Sequence, residues 1–188
     1  MPGPLDGVKI AILAADMFEE SELAQPRQAF LEMGAGVDIL SPGDGTIQSF
    51  HDRDLTFGER FPVASPVGRT RVSDYDALHL PGGVGNPDRL RLDEDAITFA
   101  RQFVDSGKPV GVLCHGPWTL VEAGAVRGRT LTSWPSLQTD IRNAGGIWVD
   151  QQVAEDANLV SSRKPGDIPA YSERLTGKIA AAVGGRAA

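Results

Sequence analysis

The sequence predicts an α/β fold, a three-layer α/β/α sandwich around a mostly parallel sheet. Three observations carry that expectation. Short apolar runs of strand length recur along the chain, segments with apolar residues at helical spacing lie between them, and Gly, Pro or polar residues close each run. At 188 residues the chain is the size of one domain, long enough to bury a substantial core, so residues 1–188 are read as a single domain.

Val8 to Ala15 is the first run, with Lys9 at its entrance, and reads as a buried strand. A helix is predicted from near Glu20 to Met33, where Leu23, Phe30 and Leu31 recur at roughly helical spacing and Gly34 ends the run. Pro26 lacks a backbone donor, so it is expected in the first turn or at a bend. Gly36–Leu40 reads as a second strand, which makes residues 8–40 a right-handed β-α-β unit. Residues 41–74 mix Gly, Pro and charged residues with brief apolar stretches and predict a small antiparallel excursion. Tyr75–Leu80 is the next core strand, closed by a loop at Pro81-Gly82-Gly83.

An amphipathic helix is expected over Leu92–Ser106 and a central strand over Val110–Leu113, running into Cys114-His115-Gly116-Pro117 and a short helix over Thr119–Ala123. A further helix is predicted from Ser133, as cap, to Asn143, with Pro135 early in it. Short strands at 146–149, 152–154 and 158–161 and a helix from Pro165-Gly166-Asp167 through Ile179 close the fold.

The charge balance of 18 basic against 25 acidic residues, −7 net, leaves no broad cationic surface for nucleic acid or anionic lipid. A single cysteine excludes an intrachain disulfide and a thiolate zinc cluster and fits an intracellular setting. Met1–Gly7 lacks the basic and apolar regions of a signal peptide, and no apolar run is long enough to cross a bilayer, so a cytoplasmic protein is expected. Asp16 and the other carboxylates form no persuasive metal constellation, and neither a P-loop nor a GxGxxG fingerprint follows the first strand. No metal or cofactor is expected.

The chemistry concentrates at the strand-to-helix switch. A lone cysteine is often only a small core hydrophobe, but Cys114 sits where a sharp turn holds a thiol beside helix amides that favour the thiolate. His115 is placed to carry its proton, with a packed structural histidine as the alternative. Glu19 and Glu22 share a helix face beside the carboxyl edge of the first strand, where open α/β sheets bind ligands, although a helix dipole also attracts such acids. Glu20 points elsewhere. Gly82 and Gly83 let the backbone turn amides toward a ligand and, with the His115 amide, can form an oxyanion hole, although a double glycine equally suits a plain tight turn. His51, in a polar turn, and His79, inside an apolar strand, are read as structural or solvent-facing.

The segments Ala14–Leu23, Ala77–Gly83, Val110–Pro117 and Thr132–Ser136 together resemble the PfpI family, over about residues 8–180. That family lies in the superfamily of the Parkinson-disease-associated deglycase and the class I glutamine amidotransferases. The resemblance implies a flavodoxin-like fold with Cys114 as nucleophile, His115 as its neighbour, Glu22 as the carboxylate beside the thiol and Glu19 as an additional acid of this branch. It also implies a homodimer or larger homo-oligomer in which Asp88, standing where glutamate is familiar, reaches a neighbouring subunit's His115. A second separated catalytic histidine is missing, which weighs against an amidotransferase. The activities the resemblance implies are attack on a small dicarbonyl such as methylglyoxal (glyoxalase or deglycase) or hydrolysis of short peptides. Of a different class, the residues also allow a redox-sensing or chaperone-like stress role, with an exposed, acidic thiol beside Glu22.

Overall fold

The structure, a computed structural model, describes residues 3–185, so Met1 and Pro2 of the N-terminal stretch read above lie outside it. It opens with strand β1 (Lys9–Leu13), the two-residue β2 (Phe18–Glu19), helix α1 (Glu20–Glu32) and β3 (Gly36–Ser41). Next come β4 (Thr46–His51), β5 (Thr56–Pro62), β6 (Ser65–Pro66), β7 (Ala77–Leu80), α2 (Gly85–Leu90), α3 (Glu94–Asp105) and β8 (Val110–Leu113). The chain finishes with α4 (Pro117–Glu122), β9 (Thr130–Leu131), α5 (Gln138–Asn143), β10 (Ile147–Trp148), β11 (Val153–Asp156), β12 (Leu159–Ser162) and α6 (Ile168–Gly184).

Seven strands form the main sheet in the order β11-β12-β8-β7-β1-β3-β6. All neighbours are parallel except β11 and β12. Successive side chains of a strand point to opposite faces, and β1 shows the consequence. Ala11 and Leu13 pack with Phe99 and Phe103 of α3 on one face, while Ile10 packs with Phe30 of α1 and Tyr171, Leu175 and Ile179 of α6 on the other. Both faces are covered, giving the predicted three layers with a mostly parallel sheet between them. Among the described residues no helix is long and apolar enough to cross a membrane.

The excursion after β3 is a hairpin: β4 pairs antiparallel with β5, and β2 joins it parallel to β4. Several local expectations need correction. Of the two places expected for Pro26, the first turn is excluded, since it lies well inside α1. The stretch between Gly83 and Leu92, for which no element is predicted, contains helix α2, with Asn86 and Pro87 buried in it. The segment at Ser133 is not capped as predicted: Ser133 Oγ donates to the Trp134 carbonyl and accepts from Trp148 Nε1, a 3-10 turn covers Pro135–Leu137, and α5 starts only at Gln138. The unpredicted β9 pairs with β10 in a small separate sheet.

Candidate active site

The site lies at the carboxyl ends of β1, β7 and β8. Cys114 follows β8 directly with φ of +55°, a left-handed conformation that costs a non-glycine residue energy and persists only when its surroundings hold it. Here the Cys114 amide donates to the Ser162 carbonyl (3.0 Å), the Cys114 carbonyl accepts from the Trp134 amide (2.9 Å), and the Gly116 amide closes the turn onto Leu113 (2.7 Å). Pro117 then occupies the first turn of α4, where its missing donor costs nothing.

Facing this elbow is the loop after β7. The Gly82 amide donates to Glu22 Oε2 at 2.8 Å. The Gly83 and His115 amides lie on the side of the Cys114 sulfur and favour its anion. Gly83 has φ of +80°, and a Cβ there would lie 2.5 Å from the Glu19 amide nitrogen, so only glycine allows this close passage. Asn86, which the sequence reading did not single out, pins the loop: its Oδ1 accepts from the Ala15 amide (2.7 Å) and its Nδ2 donates to the carbonyls of Pro81 (2.9 Å) and Gly82 (3.1 Å).

Glu22 is fully buried next to the thiol. Burial raises its carboxyl to about 8, against the Gly82 amide and the Cys114 contact that favour the anion, while the charges of Glu19 and Asp52 add to the rise. Oε2 accepts the Gly82 amide and Oε1 has no hydrogen-bond donor, so Oε1 is the oxygen free to carry the proton. Burial also pushes the Cys114 thiol up, and negative charge on Glu22 pushes it further. The expectation of an exposed, acidic thiol therefore needs correction: Cys114 is only 5 % exposed, and burial and any negative charge on Glu22 outweigh the amides that favour its anion.

Cys114 Sγ lies 3.3 Å from His115 Nδ1. The imidazole stacks on Trp134 (centroids 6.1 Å apart), with the Trp118 ring tilted against it at 5.3 Å, and burial lowers its pKa to about 4. His115 is therefore neutral at pH 7. Glu19 and Glu22, Cys114 and His115 line one cavity of about 660 Å³. Its wall includes an acid that sequence reasoning missed: Asp52, whose amide donates to Glu19 Oε2 (3.0 Å) and whose Oδ2 accepts from the Val84 amide (3.2 Å). Glu20 points away, accepting from the Ser49 hydroxyl and the Glu59 amide, with His51 at 3.8 Å. Asp88 is exposed on α2 and does not line this cavity. Among the described residues no cluster of His, Cys, Asp or Glu is arranged to hold a metal ion.

Residues 8–177 match the DJ-1/PfpI family. The chain belongs to that family. Deglycase PfpI of Pyrococcus furiosus is 42% identical over 168 residues, covering 87% of this chain and 95% of that protein. Protein/nucleic acid deglycase 2 of Escherichia coli is 40% identical over 167 residues, covering 87% and 93%. A crystal structure of a two-domain protein with DJ-1/ThiJ/PfpI-like and ferritin-like domains from Anabaena variabilis superposes with a TM-score of 0.84 at 27% identity, covering 91% of this chain and about half (49%) of that one.

Two predictions arise from this DJ-1/PfpI site. A Cβ on Gly82 would lie 2.5 Å from Glu22 Oε2 and 2.7 Å from Cys114 Cβ, so a methyl wedges the pair apart. Gly82→Ala is expected to slow Cys114 alkylation by iodoacetamide on the order of tenfold or more, while circular dichroism shows the fold retained. The second concerns stability. The Glu22 carboxyl is raised from 4.5 to about 8 on folding, so folding favours its protonated form. Its stabilising contribution is whole below pH 4.5 and is lost as pH rises toward 8. The buried His79 and His115, lowered from 6.5 to about 4, act in the opposite sense, losing stability as pH falls below 6.5. Thermal melting should therefore show an alkaline decline between pH 6.5 and 8 that Glu22→Gln flattens, and an unchanged decline in that variant would refute the assignment.

Proposed function

We propose that this chain is a cysteine-dependent enzyme that detoxifies small reactive dicarbonyls such as methylglyoxal, as a glutathione-independent glyoxalase or deglycase. The observation that carries this reading is the buried Glu22 carboxyl, protonated at neutral pH, set against the Cys114 thiol in a cavity of about 660 Å³. Two relatives named deglycases support the same reaction class.

The geometry suits a sequence of proton transfers on one side chain. The thiolate form of Cys114, which burial makes scarce and which a protonated Glu22 does not repel, attacks the aldehyde carbon, the carbonyl electron pair moves to oxygen, and that oxygen takes the Glu22 proton to give a hemithioacetal. During attack the charge leaves sulfur for oxygen, and the Gly83 and His115 amides that favoured the thiolate turn to the developing oxyanion. The Glu22 carboxylate then removes the proton on the former aldehyde carbon. Neutral His115, a donor at one nitrogen and an acceptor at the other, moves the hydroxyl proton between the two oxygens of the enediolate. Glu22 returns its proton to the neighbouring carbon, leaving a lactoyl thioester. Water breaks the carbon–sulfur bond, restoring thiolate and protonated Glu22 and releasing lactate and one proton.

D-lactate formed from methylglyoxal without glutathione tests the reading. Peptide hydrolysis with no lactate would overturn it in favour of a peptidase. A single domain fits the span of the family match. In a homo-oligomer, the exposed Asp88 of one copy is the acid available to another copy's His115. Size-exclusion chromatography and loss of peptide turnover in Asp88→Ala would support that arrangement, and a monomer with full activity would exclude it.

A further inference from the structure

Two oddities of the sequence meet at one atom. In an α-helix each carbonyl accepts from the amide four residues on, and for Glu22 that residue is Pro26, which has no N–H. The helix nevertheless continues to Glu32, and Glu22 is fully buried. A buried carbonyl left without a donor is costly. The donor comes from the sheet: His79 Nε2 on β7 lies 2.8 Å from the Glu22 carbonyl oxygen.

A carbonyl only accepts, so Nε2 carries the hydrogen, and in the neutral ring Nδ1 is then the acceptor. Nδ1 lies 2.7 Å from the Tyr171 hydroxyl of α6, which donates to it and fixes the tautomer. Room for that hydroxyl comes from Gly111 on β8, where any side chain would collide with Tyr171 and Leu175. Phe30 of α1 covers the imidazole edge-on at 6.0 Å.

We propose that His79 is a positioning residue whose Nε2–H replaces the helical hydrogen bond that Pro26 cannot give to the Glu22 carbonyl, and so holds the turn that aims the Glu22 carboxyl at Cys114. The inference rests on Glu22 as the group that governs Cys114, the role given to it above. The carboxyl it positions is faced by the Cys114 thiol, the Gly82 amide and the charges of Glu19 and Asp52. Tyr171 is the titratable group facing the imidazole from α6.

The test uses the full chain and reads the pH profile of Cys114 alkylation by iodoacetamide, which does not depend on the substrate. His79→Val removes the donor. Alkylation at pH 7 is expected to slow by about tenfold, and the inflection due to Glu22 to move to lower pH. Pro26→Ala restores the amide that the helix lacks. Alone it should stay within about twofold of wild type, and combined with His79→Val it should recover most of the wild-type rate and profile. Rescue by a substitution on a different element is not expected of a histidine that only fills space.

If His79→Val keeps the wild-type profile, or if the double variant retains the defect or fails to fold, the proposal is overturned. If His79→Val alone fails to fold, a folded double variant with the wild-type profile supports it. Absence of lactate formation in wild type, with rescue intact, would sink the dicarbonyl reading and leave the positioning role standing.

Discussion

Cys114→Ser is expected to lower lactate formation from methylglyoxal on the order of a thousandfold or more, to the rate of a blank containing denatured protein. The serine hydroxyl is a far weaker nucleophile at neutral pH, and nothing near it is poised to take its proton. His115 Nδ1 lies within reach of the thiol at 3.3 Å, but burial has lowered that imidazole to about 4, which makes it a weak base. The substitution is nearly isosteric, so the elbow should survive, with the Cys114 amide still on Ser162 and its carbonyl still on Trp134. Stopped assays with D-lactate dehydrogenase give the rate, and unchanged circular dichroism shows that the loss is chemical. Lactate formation at the wild-type rate in the serine variant would remove the thiol from the reaction.

Glu22→Gln should separate two properties that the wild type combines. The amide has nearly the shape of the carboxyl: its oxygen can accept the Gly82 amide, held at 2.8 Å by Glu22 Oε2, and its NH₂ stands where the unpartnered Oε1 does and keeps a neutral donor beside the thiol. Cys114 alkylation at pH 7 should therefore remain within a few-fold of wild type. The amide cannot shuttle protons, so methylglyoxal turnover should fall by about 10²–10⁴. The sign of the alkylation change decides the charge state. A large increase would mean that Glu22 is ionised in the resting site and repels the thiolate, since the substitution would relieve that repulsion. Full turnover in the variant would remove Glu22 from the proton transfers.

The parts of this fold that were legible in the sequence are those set by local periodicity. β1, α1, β3, β7, α3 and β8 repeat apolar residues at the spacing their burial demands, and the alternation of strand and helix leaves few ways to pack them. The elbow was legible because a strand running into Cys-His-Gly-Pro has nowhere to go but a tight turn. What escaped depends on contacts between distant segments. Asp52 belongs to the wall only because the hairpin folds over α1, and nothing in its neighbours marks it. His79 looked partnerless because its two partners, Glu22 and Tyr171, lie on other elements. At Ser133 a sound local rule lost to a tertiary competitor: the Trp148 indole takes the hydroxyl that would have capped the helix. α2 escaped because Gly85 and Pro87 read as turn residues, whereas the side chain of Asn86 holds that turn from inside.

The bond from Tyr171 to His79 joins residues 92 positions apart, from the last described helix to the middle of the sheet. On a ribosome the cysteine, the glycine loop and the acid all emerge before that tyrosine. Until α6 docks, the imidazole has no hydroxyl to choose its tautomer, and the Glu22 turn has a donor only part of the time. A nascent chain therefore carries its thiol for some seconds without the acid aimed at it, at synthesis rates of about 5–20 residues per second. On the positioning role proposed for His79, reactivity is among the last properties that translation delivers.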